Sequence, residues 1–91
     1  MSEPLRATAR ITNKRGLHAR ASAKVVEAAA RFQSEITVIR DGQEVNARSI
    51  MGLMMLSASM GSEIEIAASG PDAKAAMTAM LALIEAKFGE E

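Results

Sequence analysis

The chain contains one histidine, His18, which stands two residues before an arginine, Arg20. The surrounding run is Asn13-Lys14-Arg15-Gly16-Leu17-His18-Ala19-Arg20, and it joins an alternating segment to an alanine-rich one. A neutral imidazole is a nucleophile, and a guanidinium group binds phosphate oxygens through charge-assisted hydrogen bonds. The pair therefore suits the transfer of a phosphoryl group. A lone histidine in a chain without cysteine suits a metal ion poorly.

The position of His18 at the predicted start of a helix strengthens this interpretation. As the N-cap residue, His18 would lie beside the unpaired backbone N–H groups of Ala19, Arg20 and Ala21. The helix dipole adds about half a positive charge there, which favours a neutral, nucleophilic ring. We expect the N–H groups of Ala19 and Arg20 to contact an attached phosphoryl group. The spacing alone also allows a plainer interpretation, in which His18 is an exposed cap and Arg20 is ordinary surface charge.

The elements that position this run follow from hydrophobic periodicity and turn residues. The predicted order is strand 5–12, helix 19–32, strands 35–39 and 43–46 joined by Asp41-Gly42, helix 50–56, strand 63–68, and a last helix from the Gly70-Pro71-Asp72 break to about Phe88. Pro71 is placed in the first turn of that last helix. This order predicts an α+β fold, an open-faced β-sandwich with a four-stranded antiparallel sheet and three helices on one face, as one domain over residues 1–91.

Composition excludes several classes of function. The 91 residues carry 11 basic and 11 acidic side chains, and two phenylalanines are the only aromatic residues, so we expect no nucleic-acid binding. No apolar run is long enough to span a membrane, and the start of the chain lacks the pattern of a signal peptide. We therefore expect a cytoplasmic protein without membrane insertion, metal or cofactor.

Two motifs carry a resemblance to a known family. The run Gly16-Leu17-His18-Ala19-Arg20 closely resembles the active-site signature of the HPr family, the histidine-containing phosphocarriers of the bacterial phosphotransferase system and its nitrogen-related branch. The run Ser49-Ile50-Met51-Gly52-Leu53-Met54 resembles the regulatory-serine region of the same family, at the expected separation. The order of elements fits as well, so the resemblance covers essentially the whole chain.

The resemblance implies a transfer intermediate rather than a stand-alone enzyme. His18 would accept a phosphoryl group on Nδ1 from enzyme I, itself charged by phosphoenolpyruvate, and pass it to an EIIA-type domain. Arg20 would stabilise that group. Ser49 would be modified by an ATP-dependent HPr kinase/phosphorylase where the host has one. The family also suggests a monomer.

The short helix after Ser49 is predicted to divide its apolar residues between core and surface. Leu53 and Leu56 are assigned to the core. The resemblance points to Ile50, Met51 and Met54 as an exposed patch that docks partners, for which flexible methionine is well suited. Around it, a basic rim for acidic partner surfaces is predicted, formed by Arg15, Arg20, Lys24 and Arg48; scattered, solvated surface charges are the alternative.

Ala21 is a departure from the family, which usually has proline at this position. Alanine supplies a backbone N–H that proline lacks. We hypothesise that this N–H contacts either His18 Nδ1 or the phosphoryl group; a neutral change is the alternative.

A second function remains open within the same fold. The protein could be a regulatory interaction module whose phosphorylation state controls partner proteins rather than sugar uptake. The first function requires onward transfer from His18, whereas the second requires only state-dependent binding.

Overall fold

The computed structural model describes residues 3–90, which form a four-stranded antiparallel sheet and three helices. The strands are β1 (Leu5–Arg10), β2 (Glu35–Arg40), β3 (Gln43–Asn46) and β4 (Glu63–Ser69), in the spatial order β1-β4-β2-β3. The helices are α1 (Ala19–Ala29), α2 (Ile50–Met55) and α3 (Ala73–Glu85), and a 3-10 turn follows at Lys87–Gly89. The predicted α+β fold and its order of elements are confirmed.

Alternation along the strands separates an apolar face from a charged one. Val38 of β2 and Ile66 of β4 are paired across the sheet, and each is 1% exposed. On the opposite face, Arg6 and Arg10 form ion pairs with glutamates of β4 at 3.4 Å, and the four side chains are between 38% and 63% exposed. Exposed pairs contribute at most about 1 kcal/mol each, so the apolar face stabilises the sheet.

The core lies between that apolar face and the helices. Leu53 of α2, Met80 of α3 and Phe88 of the 3-10 turn are at most 1% exposed. Leu56 is also buried, so the prediction that Leu53 and Leu56 belong to the core is confirmed. Among residues 3–90, no helix has both the length and the apolar character needed to cross a membrane.

The hairpin between β2 and β3 forms as its sequence predicts. Asp41 and Gly42 have φ values of +51° and +79°. Positive φ at both central residues defines the type I′ turn, whose twist matches that of the flanking strands. The paired residues Arg40 and Gln43 close the turn.

Three predicted boundaries were too long. The β1 ladder ends at the Arg10–Glu63 pair, although Ile11 remains buried and its N–H donates to the Ser62 carbonyl. Helix α1 ends at Ala29 rather than at Phe32, because the chain turns there toward β2. Helix α2 ends at Met55, one residue before the predicted Leu56.

The last helix departs most from the prediction. It begins after the N-cap residue Asp72, so Pro71 precedes the first turn rather than lying in it. It ends at Glu85, and Phe88 follows in the left-handed region with φ +55°. Leaving the helix turns the chain back, so that the Phe88 side chain enters the core and Glu90 reaches the first helix.

Candidate functional site

The loop before His18 is held against a second loop by a close backbone approach. Gly16 has φ +64°, and a Cβ atom there would lie 2.3 Å from the Ala58 carbonyl oxygen, so only glycine fits. The next residue, Leu17, donates its N–H to the same oxygen at 2.9 Å and is 6% exposed. These contacts fix the direction in which the chain enters α1.

His18 is the N-cap residue of α1, as predicted. Its backbone is extended, and its carbonyl oxygen accepts the N–H of Ser22 at 2.8 Å. The side chain makes no capping hydrogen bond to the helix. The hypothesis that the Ala21 N–H contacts the imidazole is therefore wrong for this state of the protein, whereas a contact to a bound phosphoryl group stays a prediction.

The imidazole instead meets a carboxylate from the far end of the chain. His18 Nε2 lies 2.6 Å from Glu90 Oε2, and the two side chains are 22% and 15% exposed. A contact of this length between a ring nitrogen and a carboxylate oxygen is a hydrogen bond, in which an ionised carboxylate can only accept. The contact engages Nε2, and Nδ1 is the ring nitrogen that takes no part in it.

Asn13 holds the carboxylate in place. Its Nδ2 donates to Glu90 Oε1 at 3.0 Å and to the Gly16 carbonyl oxygen at 2.9 Å, and the residue is fully buried. Both neighbours are acceptors, which fixes the orientation of the amide. Asn13 Oδ1 has no hydrogen-bond partner among the described residues, a cost that this orientation imposes.

These contacts act on the charge of Glu90. Burial by itself raises the pKa of the Glu90 carboxyl, but the hydrogen bonds from Asn13 and His18 and the positive charges of His18 and Arg20 outweigh it. The net effect holds the pKa of Glu90 below its ordinary value. The carboxylate is therefore ionised at neutral pH and places a negative charge beside the ring.

Sequence reasoning missed both Asn13 and Glu90. Glu90 lies 72 residues from His18 in the sequence. The predicted last helix continues to about Phe88, so the turn that brings Glu90 back to His18 is not foreseen. The one local signal was Gly89, which has φ +78° and permits the turn that delivers Glu90.

Arg20 lies on the exposed side of α1, in its first turn. It borders an open depression of about 460 Å³, together with Lys14, Arg15, Gly89 and Glu90. Three of these five residues are cationic, so the depression attracts anions. The described residues contain no cluster of three histidine, cysteine or acidic side chains that could hold a metal ion.

Ser49 is the N-cap residue of α2, as its residue type suggests. Its Oγ accepts the N–H of Gly52 at 2.9 Å. The following apolar side chains are exposed, with Ile50 at 40%, Met51 at 73% and Met54 at 42%. Met55, at 65%, extends this surface and was not predicted. We call these four residues the α2 patch.

Arg48, which the sequence places in the basic rim, is exposed and also bonds the chain at the end of α1. Its Nη2 donates to the carbonyl oxygens of Ala29, Phe32 and Ser34, at 3.0, 2.6 and 3.3 Å. Arg48 thus satisfies carbonyl groups where α1 ends, a position at which positive charge is favourable.

Comparison with known proteins assigns the chain to a family. The family model described as PTS HPr component phosphorylation site matches residues 5–86. Phosphocarrier protein HPr of Cupriavidus necator is 52% identical over 80 residues, which cover 88% of this chain and 90% of that protein. The chain belongs to the HPr family of phosphocarrier proteins, whose members are transfer intermediates of the phosphotransferase system rather than stand-alone catalysts.

Solved structures agree in fold. A crystal structure of HPr from Thermoanaerobacter tengcongensis has a TM-score of 0.91 and 47% identity, covering 96% of this chain and 98% of its own. A second structure from the same organism is described as an HPr dimer, with a TM-score of 0.76, 47% identity and coverage of 99% and 100%. The monomeric state expected for this protein therefore stays a prediction.

Proposed function

We propose that this protein carries a phosphoryl group on Nδ1 of His18, accepting it from phosphoenolpyruvate-charged enzyme I and passing it to an EIIA-type domain. The observation that carries the proposal is the imidazole at the N-terminus of α1, with Nε2 held by Glu90. This arrangement leaves Nδ1 for the phosphoryl group. The ring is partly exposed, as both a donor and an acceptor require.

The surroundings of His18 stabilise a phosphoryl group without enclosing it. The backbone N–H groups of Ala19 and Arg20 lack partners within the helix, and the helix dipole favours an anion beside them. The Arg20 side chain borders the cationic depression and supplies a charge-assisted hydrogen bond. A depression open to solvent holds the group less firmly than a closed cage, which suits onward transfer.

Partners dock on the α2 patch in this proposal. Its four exposed apolar side chains, Ile50, Met51, Met54 and Met55, form one continuous helical surface, and three of them are methionine. Methionine adapts to surfaces of different shape, which a carrier that meets both a donor and acceptors requires. Helix α2 packs against α1, whose first residue follows His18.

The decisive experiment is intact mass after incubation with enzyme I and phosphoenolpyruvate, with His18→Ala as the matched variant. One acid-labile phosphoryl group on the natural protein and none on His18→Ala would support the proposal. Transfer to a purified EIIA-type domain would then support the relay. No phosphoryl group on the natural protein would contradict it and favour the regulatory interaction module instead.

Ser49 is the proposed regulatory site, modified by an HPr kinase/phosphorylase. Its Oγ already caps α2, and a phosphate at a helix N-terminus is tolerated by the fold. The new charge would instead act on docking, because it stands beside the α2 patch and must lose its water when a partner binds.

Ser49→Asp tests this regulation. Aspartate is also a good N-cap, so we expect normal folding and phosphoryl acceptance from enzyme I slowed by about tenfold or more. Ser49→Ala is the control: it loses the cap, about 1 kcal/mol, without adding charge, and should accept at the natural rate. Equal rates for the natural protein and Ser49→Asp would contradict the proposed switch.

A further inference from the structure

The contact between His18 and Glu90 places a third side chain in the phosphoryl-transfer site. We propose that Glu90, held by Asn13, is a positioning residue that keeps the His18 proton on Nε2 and supports Nδ1 as the nucleophile. This inference rests on the proposed function of His18. It assigns a role in the reaction to the turn that follows α3.

The geometry selects one tautomer of the neutral ring. A carboxylate oxygen is an acceptor only, so the 2.6 Å contact requires the proton on Nε2. The lone pair is then on Nδ1. A ring with its proton on Nδ1 would place two acceptors against each other and leave no lone pair at the reacting nitrogen.

The same carboxylate favours the transfer step electrostatically. When Nδ1 forms its bond to phosphorus, the bond between phosphorus and the donor atom breaks, and the donor keeps that electron pair. The Nε2 proton stays in place, so the imidazole gains positive charge. The Glu90 carboxylate, 2.6 Å away, stabilises this charge, whereas the helix N-terminus opposes it.

The surrounding structure is built to hold Glu90 at this position. Phe88 is fully buried and anchors the turn, while Gly89 lets the chain reverse toward α1. Asn13 binds the second carboxylate oxygen at 3.0 Å and is itself held by the Gly16 carbonyl. Two hydrogen bonds therefore orient the carboxylate, as in the sites where a carboxylate fixes the tautomer of a functional histidine.

The test combines ¹⁵N NMR of the His18 ring at pH 8.5 with the rate of phosphorylation. Glu90→Ala removes the acceptor, Glu90→Gln keeps an oxygen acceptor without charge, and Glu85→Ala removes an exposed glutamate of α3 as the control. Phosphoramidate serves as a small phosphoryl donor that needs no docking surface, and charged enzyme I serves as the protein donor.

We expect the natural protein to have a protonated Nε2 and an unprotonated Nδ1. In Glu90→Ala the two ¹⁵N shifts should move toward each other, as in a mixture of tautomers, and phosphorylation should slow by about tenfold with either donor. Glu90→Gln should restore the nitrogen shifts and only part of the rate, because the charge is missing. Glu85→Ala should match the natural protein in both measurements.

A purely structural role for Glu90 would lower stability without changing the ring nitrogens. Unchanged ¹⁵N shifts in Glu90→Ala, or an unchanged rate with phosphoramidate, would overturn the inference. A natural protein that reacts with phosphoramidate on His18 but not with enzyme I would contradict the proposed relay and leave the role of Glu90 intact. No reaction of His18 with phosphoramidate in the natural protein would overturn the inferred role of Glu90.

Discussion

The two ends of α1 are surrounded by polar clusters of different kinds. At the N-terminal end, Glu90 engages one nitrogen of His18, and the cap side chain accepts no hydrogen bond from the helix N–H groups. Beyond the C-terminal end, Asp72 accepts three hydrogen bonds, from the Gln33 N–H, the Ser34 N–H and the Ser34 hydroxyl. The first cluster leaves helix N–H groups able to bind a ligand. In the second cluster, the carboxylate oxygens accept their hydrogen bonds from groups of the protein itself.

We call the second cluster the clamp, formed by Ser34, Arg48 and Asp72. It joins the segment before β2 to the start of α3, where Gly70 approaches Ser34 so closely that a Cβ atom would lie 2.7 Å from the Ser34 Cα. Arg48 adds its bonds to the carbonyl oxygens at the end of α1. Under the proposed function, stability and transfer are assigned to separate ends of one helix, which substitutions can test.

Phe88→Ala should have the largest effect, because it affects both the core and the His18 cluster. Phe88 is fully buried, and truncation of such a side chain costs about 3–5 kcal/mol of unfolding free energy. The turn that carries Glu90 also loses its anchor, so the His18 ring should lose its ordered contact. Denaturant unfolding and the ¹⁵N shifts of His18 measure the two effects.

Phe88→Leu is the matched control, since it keeps most of the apolar volume and should lose less stability. If Phe88→Ala lowered stability and left the His18 nitrogens unchanged, the anchoring of Glu90 by this turn would be disproved.

Arg48→Met should destabilise the clamp without affecting transfer. The variant leaves carbonyl oxygens near the end of α1 without their charged donor, at a cost of about 1–3 kcal/mol. Phosphoryl acceptance at His18 should stay at the natural rate. Arg31→Met, which removes an exposed positive charge near the same helix end, should cost less than about 0.5 kcal/mol.

A fall in the phosphorylation rate of Arg48→Met, measured at a temperature where the variant is fully folded, would mean that the two ends of α1 are coupled. The proposed separation of stability from transfer would then be wrong.

Asp72→Asn should produce the smallest change, and one that depends on pH. Hydrogen bonds from the Ser34 hydroxyl and the Gln33 N–H hold the pKa of the Asp72 carboxyl below its ordinary value of 3.8, although burial opposes them. A lowered pKa in the folded state stabilises the protein above that ordinary value, and this contribution is lost as pH falls through the folded-state pKa. The Tm deficit of Asp72→Asn should therefore be largest near pH 7 and shrink toward pH 2.

Asp41→Asn, at an exposed position in the hairpin, is the control and should change Tm little at any pH. A Tm deficit of Asp72→Asn that stayed constant from pH 7 to pH 2 would rule out the charge of Asp72 as its cause.

Local signals in the sequence determined most of the fold and the centre of the site. Period-two alternation located β1, β2 and β4, the Asp41-Gly42 pair predicted the hairpin and with it β3, and the switch from a strand pattern to an alanine-rich helix placed His18 at the N-cap. These features depend on residues within a few positions of each other, so a single sequence contains them.

The tertiary structure alone decided which distant groups complete each cluster. Glu90 reaches His18 because burial of Phe88 overrides the continuation of α3, and the Arg48 side chain lies against the end of α1 because the carbonyl groups there need donors. Periodicity cannot reveal either contact, since the partners are separated in sequence and meet only after the core has packed. The sequence by itself determined that His18 begins α1; packing decided that its Nε2 meets the Glu90 carboxylate.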